Sequence, residues 1–209
     1  MPERNTVYLV RHGETEFNRE GRYQGRSDSP LTALGVAQAE RAGRTLAQTI
    51  GAASAKIRTS PLGRAVQTAE IIARNLAGPV SIQIDPRLAE IGMGTWEGMT
   101  RTEVRAGWPE ARKGKRGRNW IFEGPGSEQL DQALARITGA LEETSDPTMI
   151  TALVSHANTG RLLRGLHAGL SGEEAMCLDA PQEAIFRLCP GGEIRRIDTA
   201  PAAYQGFHP

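Results

Sequence analysis

The stretch VYLVRHGET, residues 7–15, joins four apolar residues to an arginine, a histidine and a glycine. The apolar residues predict a short buried strand, and a buried strand holds whatever its end carries in a fixed place. Arg11 is a permanent cation whose forked donors suit phosphate. His12 is a nucleophile or proton carrier near neutral pH, and Gly13 lets a ligand or another backbone approach closely. The stretch alone does not decide whether this strand end has a chemical role.

The composition of the 209-residue chain is that of an ordinary globular protein, with 39% apolar and 23% charged residues. The formal net charge is +1, so overall electrostatics indicate neither nucleic acid nor a membrane as partner. No apolar run approaches the roughly 20 residues that cross a bilayer, and no signal-peptide pattern precedes the first strand. We therefore expect a cytoplasmic protein in which Cys177 and Cys189 are buried or half-buried thiols.

Strand and helix patterns alternate along the rest of the chain. A polar, glycine-dotted segment from 14 to 30 predicts a long loop, and Ser60 with Pro61 predicts a helix start in which Ser60 is the N-cap. The alternation indicates one α/β domain over residues 1–209. We expect a three-layer α/β/α sandwich around a mainly parallel sheet with one antiparallel edge strand, and a loosely held tail from Thr199.

Two predicted strands, one near each end of the chain, finish in a histidine: His12 and His156. A third ends just before Ser60, and Arg64 lies in the first turn of the helix that follows. Because ligands bind at the carboxyl ends of parallel strands, these strand ends deliver two histidines and two arginines, Arg11 and Arg64, to one edge of the sheet. Such a set makes a pocket for a dianion. Its fixed donors stabilise the charge that spreads over the non-bridging oxygens during phosphoryl transfer.

A neutral imidazole can attack phosphorus in line and become phosphohistidine, and neighbouring cations disfavour the protonated ring. The leaving alkoxide then needs a proton, and Glu90 is the candidate donor. It lies among apolar and glycine residues in the stretch 88–94, where burial beside a bound dianion favours the protonated carboxyl that a general acid requires. Glu14 and Glu97 are alternative carboxylates.

Four blocks of sequence, in order, carry a resemblance to a known family. They are RHGET with Asn18, SPLGRAVQTA at 60–69, EIGMGTWEG at 90–98 and the serine–histidine pair at 155–156. Together they resemble the signatures of the histidine phosphatase (phosphoglycerate-mutase-like) superfamily over nearly the whole chain. The resemblance implies a phosphoglycerate-mutase-like fold, His12 as the phosphorylated nucleophile and Glu90 as the proton donor. It implies four phosphate-binding side chains, Arg11, Asn18, Arg64 and His156, and neither a metal ion nor another cofactor.

The phosphatase and mutase branches of this family differ in whether water or a second substrate hydroxyl accepts the phosphoryl group. The WEG sequence at 96–98 looks like the phosphatase branch, and mutases usually carry a longer insertion before the helix at Ser127. The sequence HAN at 156–158, in contrast, resembles the His-Gly-Asn of mutases with alanine in place of glycine. Ala157 and Asn158 are therefore candidate substrate contacts, and Asn158 is equally well interpreted as a helix cap.

Two features of the loops remain open. Gln24, in the long loop, is a candidate substrate contact or a simple turn residue. The basic run RKGKRGR at 112–118 is interpreted either as a solvated loop or as a mobile flap that draws in a substrate with extra negative charge.

The sequence therefore predicts a metal-independent phosphomonoesterase that acts on a small phosphorylated metabolite. The alternatives are a phosphoglycerate-type mutase and a catalytically silent domain that binds a phosphorylated ligand. We further expect a homodimer, formed through an apolar helix face or an edge strand.

Overall fold

The structure is a computed structural model that describes residues 7–143 and 149–199. Its strands are β1 (Val7–Arg11), β2 (Ala55–Thr59), β3 (Val80–Ile84), β4 (Ile150–Ser155), β5 (Ala184–Leu188) and β6 (Ile194–Asp198). They form one sheet in the order β3-β2-β4-β1-β5-β6. The four strands β1 to β4 run parallel, whereas β5 is antiparallel to β1 and to the outermost strand β6. The predicted mainly parallel sheet is confirmed, and its antiparallel pairing is confined to one side.

The helices connect these strands and cover both faces of the sheet. They are α1 (Glu16–Arg19), α2 (Ala33–Ile50), α3 (Gly63–Asn75), α4 (Arg101–Gly107), α5 (Leu130–Glu142), α6 (Ala157–His167) and α7 (Gly172–Ala175). Successive residues of a strand point to opposite faces. Tyr8 of β1 accordingly packs in one core with α2 and α3, and Leu9 packs in a second core with α5 and α6. The two separate cores confirm the three-layer sandwich.

The start of α3 differs from the prediction. Ser60 is not its N-cap: the helix begins at Gly63, and Leu62 occupies the capping position without a side-chain cap. The physical reason is that the Ser60 hydroxyl is engaged elsewhere, with a histidine described below, while the side chain of Asp28 accepts from the amide of Arg64 in the first turn (3.4 Å). A contact distant in sequence has replaced the local cap.

The cysteines and the tail differ in part from the expectation. Both cysteines are free thiols, and Cys189 is buried, but Cys177 follows α7 at the surface and is exposed. Thr199, where the tail was expected to begin, is buried, and its amide donates to the carbonyl of Glu183 (2.9 Å). The remainder of the tail, residues 200–209, lies outside the described residues.

The outer strand β3 carries exposed apolar side chains, Val80, Ile82 and Ile84, at an edge of the sheet. An uncharged edge of this kind is the sort of surface on which chains pair. The expected homodimer stays a prediction, and β3 is the surface on which to test it. Within the described ranges, no helix is both long and apolar enough to cross a membrane.

Candidate active site

The carboxyl ends of β1, β2 and β4 meet at one edge of the sheet and bring the predicted residues together. Arg11 ends β1 opposite Ser155 of β4, so His12 and His156 follow on neighbouring strands. Their ring centroids lie 5.0 Å apart. Arg64 enters from the first turn of α3, and the charges of Arg64 and Arg11 act on both rings. The four side chains therefore form one cluster, as the sequence predicts.

His12 is held in one orientation. Its ring is buried, its amide donates to the carbonyl of Ser155 (2.9 Å), and its Nδ1 lies 2.7 Å from the carbonyl oxygen of Gly13. Because a carbonyl can only accept, Nδ1 carries the hydrogen and Nε2 presents a lone pair. Burial, aided by Arg64 and Arg11, lowers the pKa of His12 well below its ordinary value. The ring is thus neutral at neutral pH, with Nε2 available to attack.

The loop after His12 rests on two helices. A Cβ on Gly13 would lie 2.2 Å from the carbonyl oxygen of Gly35 in α2, and a Cβ on Gly35 would lie 2.0 Å from the carbonyl oxygen of Glu14. The amide of Gly13 donates to Thr68 of α3 (3.2 Å), and the amide of Glu14 donates to Gln38 of α2 (2.7 Å). The close approach that the sequence suggests for Gly13 is therefore made by the backbone of α2.

Arg64 is buried against the long loop. Its guanidinium donates to the carbonyl oxygens of Gly25 and Ser27 (2.8 Å each) and to the carboxylate of Asp28 (3.0 Å). Its Nε is buried and has no partner within residues 7–143 and 149–199. Burial lowers the pKa of Arg64, an effect that Glu90 and Asp28 oppose, and the group remains a cation at neutral pH.

Arg11 is tied to the segment between α7 and β5. Its Nη1 donates to the carbonyl oxygen of Ala180 (2.5 Å), and its Nε is buried without a partner in the described chain. Burial lowers the pKa of Arg11 to about 10, against the opposing charges of Glu90 and Glu183. Each arginine at the sheet edge thus keeps an unbonded donor, and a phosphate oxygen is the acceptor that such a donor suits.

Asn18 presents its side-chain nitrogen. Its Oδ1 accepts from the amide of Thr15 (3.2 Å) and from Nε2 of Gln182 (3.3 Å). A backbone amide can only donate, so the oxygen is identified by its partner and the amide nitrogen is the group left for a ligand. Gln182 also donates to the carbonyl of His12 (3.2 Å). Sequence reasoning missed Gln182, which comes from the connection between α7 and β5 and belongs to no motif.

Glu90 is buried, but its surroundings are polar. Its carboxylate accepts from the amides of Ile91 (3.0 Å), Asn158 (3.2 Å) and Thr159 (3.0 Å), and from the side chains of the last two. The apolar setting inferred from sequence neighbours is therefore wrong, because the first turn of α6 covers the carboxylate. The charge of Glu90 acts on both Arg11 and Arg64, so it belongs to the cluster.

The two alternative carboxylates are engaged elsewhere. Glu14 accepts from the hydroxyl of Thr32, the N-cap of α2 (2.8 Å). Glu97 accepts from the amides of Arg26 (2.9 Å), Ser27 (3.0 Å) and Met93 (2.9 Å). Glu97 therefore ties the loop that holds Arg64 to the stretch 90–98, which contains Met93 and Glu90. Glu90 remains the candidate proton donor.

Asn158 is not a helix cap. It lies inside the first turn of α6, whose N-cap position is His156. Its Nδ2 donates to Glu90 (3.3 Å) and its Oδ1 accepts from Arg161 (2.9 Å). The cap interpretation is therefore wrong, because the side chain bridges an acid and a base that lie in other parts of the site.

Ala157 and Gln24 flank the cluster. Ala157 begins α6 directly after His156. Gln24 precedes Gly25 in the loop that binds Arg64; its side chain is buried, and its Oε1 has no partner among the residues described. Contacts of either residue with substrate stay predictions.

The residues of the basic run 112–118 have different surroundings. Arg112 lies over the ring of Trp120, 4.1 Å from its centroid, and donates to the hydroxyl of Tyr23 (3.0 Å). Lys113 and Lys115 are exposed and pair with Glu110 and Glu123. The stretch is thus fixed at Arg112, and its two lysines are neutralised at the surface.

Arg118 is the member that reaches toward the site. It is half-buried, and burial lowers its pKa. Its positive charge acts on both Arg161 and Arg11. Burial is the main cause that lowers the pKa of Arg161 to about 10. Sequence reasoning also missed Arg161, although its position three residues after Asn158 places both on one face of a helix. Arg11, Arg118 and Arg161 together form a positively charged surface next to the two histidines, which we call the cationic rim.

The chain matches the model of the histidine phosphatase superfamily (branch 1) over residues 7–199. The probable phosphoglycerate mutase GpmB of Cronobacter sakazakii (strain ATCC BAA-894) is 40% identical over 203 residues, which cover 92% of this chain and 84% of that protein.

Two solved structures share the fold. One is the mycobacterial glucosyl-3-phosphoglycerate phosphatase Rv2419c in complex with VO3, with a TM-score of 0.77, 26% identity and coverage of 92% of this chain and 97% of that chain. The other is Bacillus stearothermophilus YhfR, with a TM-score of 0.75, 30% identity and coverage of 92% and 95%. Sequence, fold and the meeting of the four motifs at one sheet edge agree that the chain is a phosphatase-type enzyme belonging to the histidine phosphatase superfamily (branch 1).

Proposed function

We propose that the protein is a metal-independent phosphomonoesterase that hydrolyses a small phosphorylated metabolite through a phosphohistidine intermediate on His12. The main support for this proposal is the protonation and hydrogen bonding of the His12 ring. Its Nδ1 is bonded to the carbonyl of Gly13, its ring is neutral, and its free Nε2 lies in a cluster with two arginines. The free thiols Cys177 and Cys189 suit a reducing compartment, and the proposal places the enzyme in the cytoplasm.

The reaction has two steps in this proposal. Nε2 of His12 forms a bond to phosphorus while the bond from phosphorus to the ester oxygen breaks, and protonated Glu90 gives its proton to the leaving alkoxide. Water then attacks the phosphohistidine, Glu90 takes the proton of that water, and the bond to Nε2 breaks to release inorganic phosphate. Throughout, the non-bridging oxygens are bound by four side chains: Arg11, Asn18, Arg64 and His156.

A second candidate, a phosphoglycerate-type mutase, has two observations in its favour. The relative that is 40% identical is named a probable phosphoglycerate mutase, and Asn158, from the mutase-like HAN sequence, is bonded to Glu90 (3.3 Å). In a mutase, a second substrate hydroxyl replaces water as the acceptor. The structural neighbour named a glucosyl-3-phosphoglycerate phosphatase supports hydrolysis.

The cationic rim supports a substrate that carries a second anionic group. Arg161 donates to the carbonyl of Leu178 (2.7 Å) and to Asn158 (2.9 Å). Neither Arg161 nor Arg118 forms an ion pair with a carboxylate in the described part of the chain. Partly buried cations without a carboxylate partner attract an anion. We therefore propose a phosphorylated carboxylic acid as the substrate class, bound by Arg118 and Arg161 and not by Lys113, Lys115 and Arg116.

Release of phosphate from p-nitrophenyl phosphate in the presence of EDTA tests the reaction, with His12→Ala as the control. We expect EDTA-resistant turnover that the variant loses. If the intact chain binds phosphorylated ligands without turnover, it is a binding domain. Conversion of 3- to 2-phosphoglycerate that a bisphosphate primer stimulates would establish the mutase.

The substrate class is tested with Arg118→Gln and Arg161→Gln. Each should raise KM about tenfold for a phosphorylated carboxylic acid and leave KM for p-nitrophenyl phosphate nearly unchanged, since each removes one charge-assisted hydrogen bond to the second anionic group. The triple variant Lys113→Gln, Lys115→Gln, Arg116→Gln is the control, because it removes three positive charges, more than either test variant, from the exposed part of the same run. Equal effects on both substrates would reject the second anion site.

A further inference from the structure

Ser60 lies fully buried between β2 and α3 and makes two hydrogen bonds through its hydroxyl. Its Oγ accepts from the amide of Leu62 (3.2 Å) and lies 2.7 Å from Nε2 of His156. The second contact crosses from the end of β2 to the end of β4. The hydroxyl that local sequence assigns to a helix cap is therefore in contact with a histidine of the catalytic cluster.

The hydrogen-bond donors and acceptors around Ser60 determine which nitrogen of His156 carries the hydrogen. The amide of Leu62 supplies its own hydrogen to Oγ, so the hydroxyl hydrogen is free to be donated. Within residues 7–143 and 149–199, Nε2 of His156 is the acceptor in reach of it. Burial, with the charge of Arg64 next in effect, lowers the pKa of His156 well below its ordinary value, so the ring is neutral. A neutral imidazole that accepts at Nε2 carries its hydrogen on Nδ1.

The other end of the ring has no partner. Nδ1 of His156 is buried and makes no hydrogen bond within the described part of the chain. A buried donor left unbonded is costly, so it indicates a site that a ligand completes. His12 lies beside it, with ring centroids 5.0 Å apart, and the phosphorus bound to His12 would bring its oxygens next to this donor.

We propose that Ser60 is a positioning residue that fixes His156 in the Nδ1–H tautomer, so that Nδ1–H donates to an oxygen of the transferred phosphoryl group. The acceptor rests on the proposed function, whereas the tautomer does not. The two histidines then share one tautomer and use opposite ends of the ring. His12 attacks through its bare Nε2, and His156 donates through its protonated Nδ1. Without the serine, the ring is free to place its hydrogen on Nε2 and to turn a lone pair toward the phosphate.

The tautomer is measured directly by two-bond proton–nitrogen correlation NMR on the 15N-labelled protein, where the chain has only four histidines to resolve. The His156→Gln variant identifies the signals. We expect the hydrogen of His156 on Nδ1 in the free protein, and a shift of the Nδ1 signal when orthovanadate is added. A hydrogen on Nε2 overturns the proposal whatever the activity, and an unmoved Nδ1 signal in vanadate-bound protein overturns the contact with phosphate.

Kinetics separate positioning from folding. Ser60→Ala should raise KM for p-nitrophenyl phosphate and weaken vanadate inhibition about tenfold, with an NMR spectrum in which His156 populates the Nε2–H form. Ser60→Thr keeps a hydroxyl and should restore both. Thr59→Val is the matched control: Thr59 is equally buried, and its hydroxyl donates only to the carbonyl of Ser60 (3.3 Å) within the described chain.

Equal kinetic changes in Ser60→Ala and Thr59→Val would show that Ser60 is merely structural. If Ser60→Ala does not fold, the wild-type spectrum still decides the tautomer. If the protein shows no phosphatase activity, the tautomer stands or falls on its own signal, so failure of the proposed function is distinguishable from failure of this inference.

Discussion

Arg58 and Arg64 come from the same stretch of chain and are almost equally buried, at 2% and 1% exposed, yet they bind different acceptors. Arg58 of β2 donates to the carboxylate of Asp85, itself 3% exposed, and to the carbonyl of Ala140 (2.8 Å). Arg64 donates to two loop carbonyls, and its one carboxylate partner in the described residues, Asp28, has a side chain that is 43% exposed.

The acceptors decide what each arginine can do. Burial alone would raise the pKa of Asp85, but hydrogen bonds from Arg87 and Arg58 lower it to about 2. Both arginines also pair with Glu143, so that cluster of two cations and two carboxylates neutralises its own charge. A carbonyl satisfies a donor without cancelling the cation. The positive charge of Arg64 therefore remains for a ligand. The burial of an arginine therefore does not indicate whether it can bind an anion, whereas the charge of its hydrogen-bond partners does.

Substitution of each arginine by methionine tests this comparison most severely. Arg64→Met should lower kcat/KM for p-nitrophenyl phosphate by about 10³-fold, because it removes a cation that stabilises the transition state. Arg58→Met should leave kcat/KM of the folded protein within about twofold but lower the free energy of unfolding by about 3–5 kcal/mol, because Asp85 loses a buried partner. Steady-state kinetics and urea denaturation of both variants decide. Similar losses of activity in the two variants would break the comparison.

Acid separates the two clusters by the pH at which each loses stability. The pKa values of His12 and His156 lie below those of the unfolded chain, so their contribution is complete above about pH 6.5 and is lost as the pH falls, since only the unfolded chain takes up protons. The free energy of unfolding should fall there by up to about 2.7 kcal/mol per pH unit for the two rings. Asp85, with a pKa of about 2, adds its loss only below about pH 4.

Urea denaturation between pH 7.5 and 5 measures this slope, and the double variant His12→Asn, His156→Gln should flatten it. A wild-type slope that matches the double variant would show that the histidines titrate normally in the folded protein.

The smallest effect concerns the loop that holds Arg64. Glu97→Gln replaces a charged acceptor of three backbone amides by a neutral one, which should loosen the loop and raise KM for p-nitrophenyl phosphate about threefold to tenfold, with kcat less affected. Glu103→Gln is the control, since Glu103 is an exposed carboxylate in the capping box of α4. An unchanged KM in Glu97→Gln would show that the position of Arg64 does not depend on this loop.

The sequence predicted the features that local patterns control. The apolar strands, the sheet edge and the meeting of His12 with His156 follow from strand ends that the chain marks clearly. The surroundings of Glu90 did not follow, because its neighbours in sequence are apolar while its neighbours in space are the amides of Asn158 and Thr159. Propensity rules do not see contacts between distant segments.

Ser60 is a second case in which a contact between distant segments was not predicted. Its local pattern is that of a helix cap, and a contact with His156 from another strand overrides it. Gln182 and Arg161 belong to no sequence motif, but each forms a hydrogen bond with a residue that does: Gln182 with Asn18 and Arg161 with Asn158. The side chains that meet at the sheet edge were predicted from the sequence, whereas those that contact and orient them were not.

The contact between Gly13 and Gly35 makes the backbone next to His12 rigid. With the carbonyl of Gly35 only 2.2 Å from where a Cβ on Gly13 would stand, the backbone next to His12 has no space to move toward α2, whether or not a ligand is bound. At the proposed site, room for a bulkier substrate would therefore come from movement of the loop around Gly25 or of the connection that carries Gln182. In any effort to re-engineer substrate range, Gly35 belongs with His12 as a position to leave untouched, although it lies in the first turn of α2 and in none of the four motifs.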